Sequence, residues 1–362
     1  EPRPMLTQYG ANPNSMLTTV TGGKEITDVA GTRYPLISGT TRLAYHTGTQ
    51  WSVLSYVSAF GISAPPAATV TDYWDMTQVY LPDADQNIAV MANASYQTLY
   101  AWKSGSTVFS TLTGAPRAIR VAAFDNYVLT INQTDPNAGG QLVQRVQWSD
   151  RGSASSWTGG LSGFEDLLDM KGYGTRLIPQ ENRIVIFSDQ EIWQGVTGSG
   201  PFVFLFSRVD GSVGCPYPWT ITDTPSGILF LGRDLQIYLL PKGGGTAQVI
   251  SHGVARKLRT ELDKPERAWS VYDPNTEQYQ LNYPVRGGSG TPQRTLSVNS
   301  DGHWTPHSYD RAGGNQSASF GFVGIVSSSA TTWGGLQAAG LRWSDLGNVS
   351  WAQMSGTSEE RA

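Results

Sequence analysis

The sequence predicts an all-β fold, a β-propeller of about six or seven antiparallel blades with one short helix and extended terminal arms. Three observations predict it. The first is a train of short apolar runs, each about the length of one strand and each bounded by Gly, Pro, Asp or Ser. The second is composition: 41 Gly, 20 Pro, 12 Trp and 16 Tyr among 362 residues, with only 15% charged and 39% apolar, suits many short strands joined by tight turns and excludes disorder. The third is spacing, because groups of about four runs recur every 35–50 residues or so, the period of propeller blades.

In chain order, residues 1–35 are polar and rich in Pro, Gly and Thr, and read as an N-terminal arm or closing strand. Residues 36–310 read as the propeller core. Arg42 to Tyr45 and Trp51 to Tyr56 are strands, and Ala64-Pro65-Pro66-Ala67 is a break. Val79 to Leu112 holds four strands, one blade's worth, and Ala118 to Trp148 starts another. Leu167 to Val196, Phe202 to Leu240 and Ala268 to Pro306 are three further units. Residues 311–362 read as a last blade or docking segment, with Phe320 to Trp351 closing the ring.

The densest stretch is Glu181 to Pro241, with strands expected at Ile184 to Phe187, Ile192-Trp193, Phe202 to Phe206, Trp219-Thr220-Ile221, Ile228 to Leu231 and Leu235 to Leu240. Ser188-Asp189-Gln190 and Gly232-Arg233-Asp234 sit where tight hairpin turns belong, and the second reads as the inner hairpin of a blade. One segment has a different period. Val254, Leu258 and Leu262 recur every four residues, Lys257–Glu261 and Arg259–Asp263 are i,i+4 pairs, and Pro265 stops the run, so a helix is predicted over roughly Val254 to Lys264.

Ile184 to Trp193 (IVIFSDQEIW), Gly200 to Phe204, Gly214-Cys215, Phe230 to Asp234 and Ile237-Tyr238, with Val146 to Asp150 and Trp157 upstream, resemble the β-propeller of the tail nozzle and hub proteins of short-tailed bacteriophages, also called tail tubular proteins. The resemblance covers Gln144 to Pro284. It implies a structural virion protein, a tail nozzle or hub subunit made in the bacterial host cytoplasm. It also implies a homo-oligomeric ring of six copies below an adaptor or portal-proximal tail ring. The ring would enclose the genome-ejection channel, let viral DNA pass non-specifically, and carry tail fibres, a needle or a plug.

No constellation of residues predicts catalysis, so no catalytic, cofactor-binding or metal residue is assigned and no cofactor is expected. Cys215 is the only cysteine, which rules out an intrachain disulfide and reads as buried packing. His46, His252, His303 and His307 lack zinc-ligand spacing, and Glu165-Asp166 reads as an acidic loop facing solvent. A net charge of −4 gives no basic nucleic-acid-binding surface. No apolar run approaches the ~18 residues of a membrane helix, so no membrane insertion is expected.

The alternative is a carbohydrate-binding or glycoside-hydrolase propeller of sialidase type. Trp148-Ser149-Asp150-Arg151-Gly152 with Ser156-Trp157 recurs as Trp343-Ser344-Asp345-Leu346-Gly347 with Ser350-Trp351. The repeat is similar to the structural Asp-box turns of sialidases, and reads as an Asp-anchored turn with Gly in the left-handed position and Trp packed beneath. Arg120, Arg183, Arg208, Arg233 and Arg294 lie at strand ends, but their spacing singles out no catalytic set of three.

Overall fold

Tight two-residue turns and alternating β-branched and aromatic residues fold the chain into successive meanders. A computed structural model describes residues 20–40, 42–47, 51–57, 73–93, 98–135, 137, 139–199, 202–211, 213–299, 301–308 and 320–322. They form a six-bladed propeller, five blades of four strands and one of five.

Blade 1 is β1 (Val20–Thr27), β2 (Arg33–Gly39), β3 (Leu43–His46) and β4 (Trp51–Val53). It reaches back into the segment expected to be an arm or closing strand, because Ile26 and Leu36 are fully buried with Trp74 and Trp102 of the next blade. The expected boundary at residue 35 falls inside β2.

Blade 2 is β6 (Asp75–Leu81), β7 (Gln86–Ala92), β8 (Tyr100–Lys103) and β9 (Val108–Thr111), after β5 (Ser55–Val57), which crosses over and adds to β9. The β5–β9 pair is parallel, the exception in an otherwise antiparallel set of ladders. Trp51 to Tyr56, expected as one strand, is thus divided at Leu54 between two blades.

Blade 3 is β10 (Arg117–Phe124), β11 (Tyr127–Thr134), β12 (Gln141–Trp148) and β13 (Gly163–Asp166). Asp125-Asn126, both at positive φ (48° and 62°), make its first hairpin turn, the geometry that matches strand twist.

Blade 4 is β14 (Gly174–Gln180), β15 (Arg183–Ser188), β16 (Ile192–Thr197) and β17 (Phe204–Arg208). Blade 5 is β18 (Thr222–Thr224), β19 (Gly227–Leu231), β20 (Ile237–Pro241) and β21 (Gln248–Val249). Three expectations are corrected here. The Phe202 to Phe206 run is the outer strand of blade 4, not the start of the next unit, because Phe204 packs on Trp148 with ring centroids 5.2 Å apart. Trp219-Thr220-Ile221 is no strand: Pro218–Thr220 is a 3-10 turn that buries Trp219 at the axis. The Gly-Arg-Asp hairpin joins β19 to β20 and is the middle hairpin of its blade rather than the inner one.

Helix α1 (Ala255–Glu261) follows, as the four-residue apolar spacing predicts. Its buried Leu258, with Leu262 just beyond, packs among Leu229, Leu231 and Ile237 of blade 5 and Tyr279, Leu281 and Tyr283 of blade 6. It therefore wedges a junction between blades. Blade 6 is β22 (Trp269–Asp273), β23 (Gln278–Tyr283), β24 (Arg294–Val298) and β25 (Trp304–Ser308). Of the closing segment expected over 320–351, residues 320–322 are described. Phe322 packs with blade 1 beside Trp51, and Phe320 lies tilted against Trp269 with ring centroids 6.0 Å apart. The second Asp turn, Trp343 to Trp351, lies outside the described residues, as does the Pro65-Pro66 break.

Candidate functional site at the propeller axis

The first strand of every blade lies innermost, and its free backbone edge faces the axis. Buried N–H and C=O groups on that edge need partners. Side chains of neighbouring blades supply them. Asp75 Oδ2 accepts from Val121 N at 3.2 Å and Thr77 Oγ1 from Ala123 N at 2.9 Å, tying blade 2 to blade 3. Arg120 Nε donates to Thr175 O at 2.7 Å, tying blade 3 to blade 4. Arg176 Nη1 donates to Pro218 O and Ile221 O at 2.7 and 3.2 Å, tying blade 4 to blade 5. Thr222 and Ser270 hydroxyls meet at 2.6 Å between blades 5 and 6.

An aromatic cluster closes the axis. Tyr73, at the entry to blade 2, lies 5.1 Å from Trp219, at the entry to blade 5. These blades stand opposite each other in a six-membered ring, so the two side chains meet across the centre. Phe320 completes the plug at 5.5 Å from Tyr73 and 6.1 Å from Trp219. Arg120 and Arg176 lie over the Trp219 ring at 5.2 and 4.8 Å, within cation–π range. Lys24, Asp75 and Arg176 form a charged group near the axis. Burial pushes the Lys24 ammonium below the usual lysine range, against the opposing pull of Asp75. Burial lowers Arg176 in the same way.

Beside the plug, a cleft opens between blades 3, 4 and 5. Its inner chamber, about 310 Å³, is lined by Arg120, Thr175, Pro216, Pro218, Trp219 and Glu266 together with Ile119, Asn132, Tyr173 and Gly174. A second chamber, about 410 Å³, shares Ile119, Asn132 and Tyr173 and adds Gln141, Val143 and Gly172. Tyr173 stands between the two and is 45% exposed. Its backbone is clamped by Asp189: Tyr173 N donates to Oδ1 at 2.9 Å and Asp189 N donates to Tyr173 O at 3.2 Å. Burial, helped by Asp189, pushes the Tyr173 phenol above its usual range.

The residues singled out by the sequence are now assigned partners. Asp150 Oδ1 accepts from Arg151 N and Leu161 N at 2.9 Å each, Gly152 has φ +72°, and Trp157 is buried beneath, the turn expected from the repeat. Glu165-Asp166 is corrected: it lies in β13, not in a loop. Neighbouring strand residues point to opposite faces, and Asp166 receives Arg145 through two bonds of 2.7 Å. That pairing holds its carboxyl below the usual range. The two carboxylates therefore do not flank a common bond.

Arg183 is bound by Gln180, Gln194 and Pro241 O, and Arg233 by Asp189 at 2.7 Å. Arg208 lies 3.9 Å from Glu191. Among the described residues no group of three His, Cys, Asp or Glu is gathered closely enough to hold a metal. The axial plug was missed in the sequence because its members lie far apart in the chain. Tyr173 was missed because a lone aromatic between glycines has no periodic signal.

The motifs Ser188 to Trp193, Gly214-Cys215 and Phe230 to Asp234 meet at the junction of blades 4 and 5. Cys215 N donates to Ser188 O at 2.8 Å, and its buried Sγ lies 3.2 Å from Leu231 O. A Cβ at Gly214 would overlap the Asp189-Gln190 backbone, so this approach requires glycine. The Arg233–Asp189 pair closes the junction from outside.

No family model matches the chain, and no curated protein matches it. Solved structures similar to it are propellers of diverse roles. Virginiamycin B lyase from Staphylococcus aureus matches at 10% identity and TM-score 0.46, over 84% of this chain and 88% of that one. YCF48 bound to D1 peptide matches at 11% identity and TM-score 0.43, over 80% and 82%. PorZ, a surface component of the type-IX secretion system of Porphyromonas gingivalis, matches at 9% identity and TM-score 0.37, over 76% of this chain and 31% of that one. At these values the likenesses carry no argument about activity, and the fold rests on the strand pairing itself.

Proposed function

We propose that the chain is a structural subunit of a phage tail, the nozzle or hub, acting as one copy of a homo-oligomeric ring. The observation that carries this reading is the meeting of three of the resembling motifs at one junction. Ser188 to Trp193, Gly214-Cys215 and Phe230 to Asp234 are separate in sequence, yet they form a single packed unit through the Cys215–Ser188, Cys215–Leu231 and Arg233–Asp189 contacts. A resemblance spread over one physical unit is stronger than the same matches scattered over a surface.

Two further features support the reading. The propeller's own axis is filled by Tyr73, Trp219 and Phe320, so DNA would pass through a channel enclosed between subunits. Val196, Phe202 and Leu205, on or beside the outer strands of blade 4, are 37%, 63% and 50% exposed. Apolar side chains grouped on an outer edge suit burial against another subunit. On this reading six copies form the ring beneath an adaptor or portal-proximal ring. Fibres, a needle or a plug attach distally, viral DNA passes without sequence-specific contact, and the assembled protein resides in the virion tail.

Light scattering with negative-stain imaging of the purified chain, alone and mixed with the adaptor ring, tests the proposal. Rings of six copies, or stacks of them, are expected. A chain that stays monomeric at high concentration in both samples, and is absent from digests of purified particles, overturns it.

A further inference from the structure

We propose that the cleft beside the axial plug binds a short neutral saccharide, with Tyr173 as the stacking platform. The two chambers share Ile119, Asn132 and Tyr173, so they form one groove running away from the axis across the Tyr173 ring. Their volumes, about 310 and 410 Å³, each fall in the range of small-ligand sites.

The lining chooses the ligand class. In the inner chamber the charged residues are Arg120 and Glu266, one of each sign, and the outer chamber is lined by no charged residue. Arg120 is already spent on Thr175 O, Ile119 O and the Trp219 ring. A phosphate or sulfate ligand would find no surplus of positive charge. The neutral polar groups that the groove exposes are instead the amide of Gln141 and the hydroxyl of Tyr173, which suit neighbouring hydroxyls better than an ionised group, while Asn132 and Thr175 are buried and already donate to Gly174 O and Phe187 O. The same lining carries the apolar side chains of Ile119, Val143, Pro216 and Pro218. Apolar ring faces alternating with hydroxyl edges is the chemistry of a saccharide.

The platform is also set in advance. Asp189 holds the Tyr173 backbone in both directions, and Arg233 holds Asp189 in turn at 2.7 Å. Asn132 is fixed by donating Nδ2 to Gly174 O at 2.9 Å. The backbone that carries the ring is therefore in place before binding.

The test is a printed array of neutral and acidic di- to tetrasaccharides, probed with the full chain, followed by calorimetry with the best neutral hit. Neutral saccharides are expected to bind in preference to sialylated or sulfated ones. Tyr173→Ala is expected to weaken binding about tenfold and Tyr173→Phe to preserve it, because the ring rather than the hydroxyl is the platform. Tyr173 and Gln141 are both exposed, so Gln141→Ala gives a second variant that keeps the fold. Circular dichroism of both variants should match the parent. Binding to acidic saccharides only, no neutral saccharide bound at millimolar concentration, or an unchanged affinity in Tyr173→Ala overturns the proposal. A peptide that competes at Tyr173 where no saccharide binds overturns it too. None of these outcomes bears on ring assembly, so the nozzle reading stands or falls separately.

Discussion

Cys215 shows how a reactive group becomes packing. Its Sγ lies 3.3 and 3.2 Å from Tyr217 O and Leu231 O, and burial pushes the thiol up to about 12, with the Thr220 hydroxyl opposing. Tyr73 in the axial plug is likewise raised by burial to about 12. Both groups are neutral when protonated, and both hold the proton more tightly folded than unfolded. The stability they contribute is therefore full below their unfolded values of about 8.5 and 10, and is lost as pH rises toward 12. The melting temperature is expected to be flat through neutral pH and to fall from about pH 9 upward. In Cys215→Ser, measured over the same range, the early part of that fall should shrink, because Tyr73 and the other buried tyrosines, with unfolded values near 10, begin to titrate later than the thiol. An equal fall in parent and variant would show that the thiol is not buried as described.

At the scale of an element, α1 is the most informative case. Seven residues are too few for an isolated helix to hold, so tertiary packing must hold this one. Leu258 supplies that packing between blades 5 and 6, while the Lys257–Glu261 pair at 2.5 Å sits at the partly exposed surface. Leu258→Ala is expected to cost about 2–5 kcal/mol in urea unfolding, and Lys257→Ala under about 0.5 kcal/mol. The same element shows what was legible in the sequence. Its four-residue period is local, so its position was readable from Val254, Leu258 and Leu262, although the helix ends at Glu261 rather than at the expected Lys264 because Leu262 turns extended. Trp219-Thr220-Ile221 is equally apolar, but Pro218 at its start fixes φ for a turn, and a three-residue run carries no period to tell strand from turn. Ser55–Val57 reads as a strand in either blade, and its parallel pairing with β9 depends on where the chain leads after Leu54. The cleft was least legible, since Ile119, Asn132, Tyr173 and Trp219 come together only when blades 3, 4 and 5 are in place.

For the whole molecule the decisive question is how the ring is held shut. Many closed sheets share a strand between first and last units, but here β1 to β4 and β22 to β25 each complete a blade from its own consecutive strands. The described contacts that bridge blades 6 and 1 run through residues 320–322. Phe322 packs with Ile37, Ala44 and Trp51, while Phe320 lies 6.0 Å from Trp269. Glycines make the fit possible on both sides, since a Cβ at Gly23 would strike the Phe322 ring and one at Gly321 would strike Trp269. Phe320 also reaches the central Tyr73–Trp219 pair, so one residue seals both the seam and the axis. Phe320 and Phe322 are partly buried, so each change to Ala costs less than the about 3–5 kcal/mol of a fully buried phenylalanine, but both act on one junction. The double variant Phe320→Ala/Phe322→Ala is therefore expected to open the seam selectively. Hydrogen exchange should rise in β1, β2 and β22, while β11, β15 and β16 on the far side of the ring keep their protection until global unfolding. Uniform acceleration across all six blades would mean that the ring unfolds as one unit and that the seam is no weaker than the other junctions. Unchanged exchange in β1 and β22 would mean that residues 320–322 do not hold it.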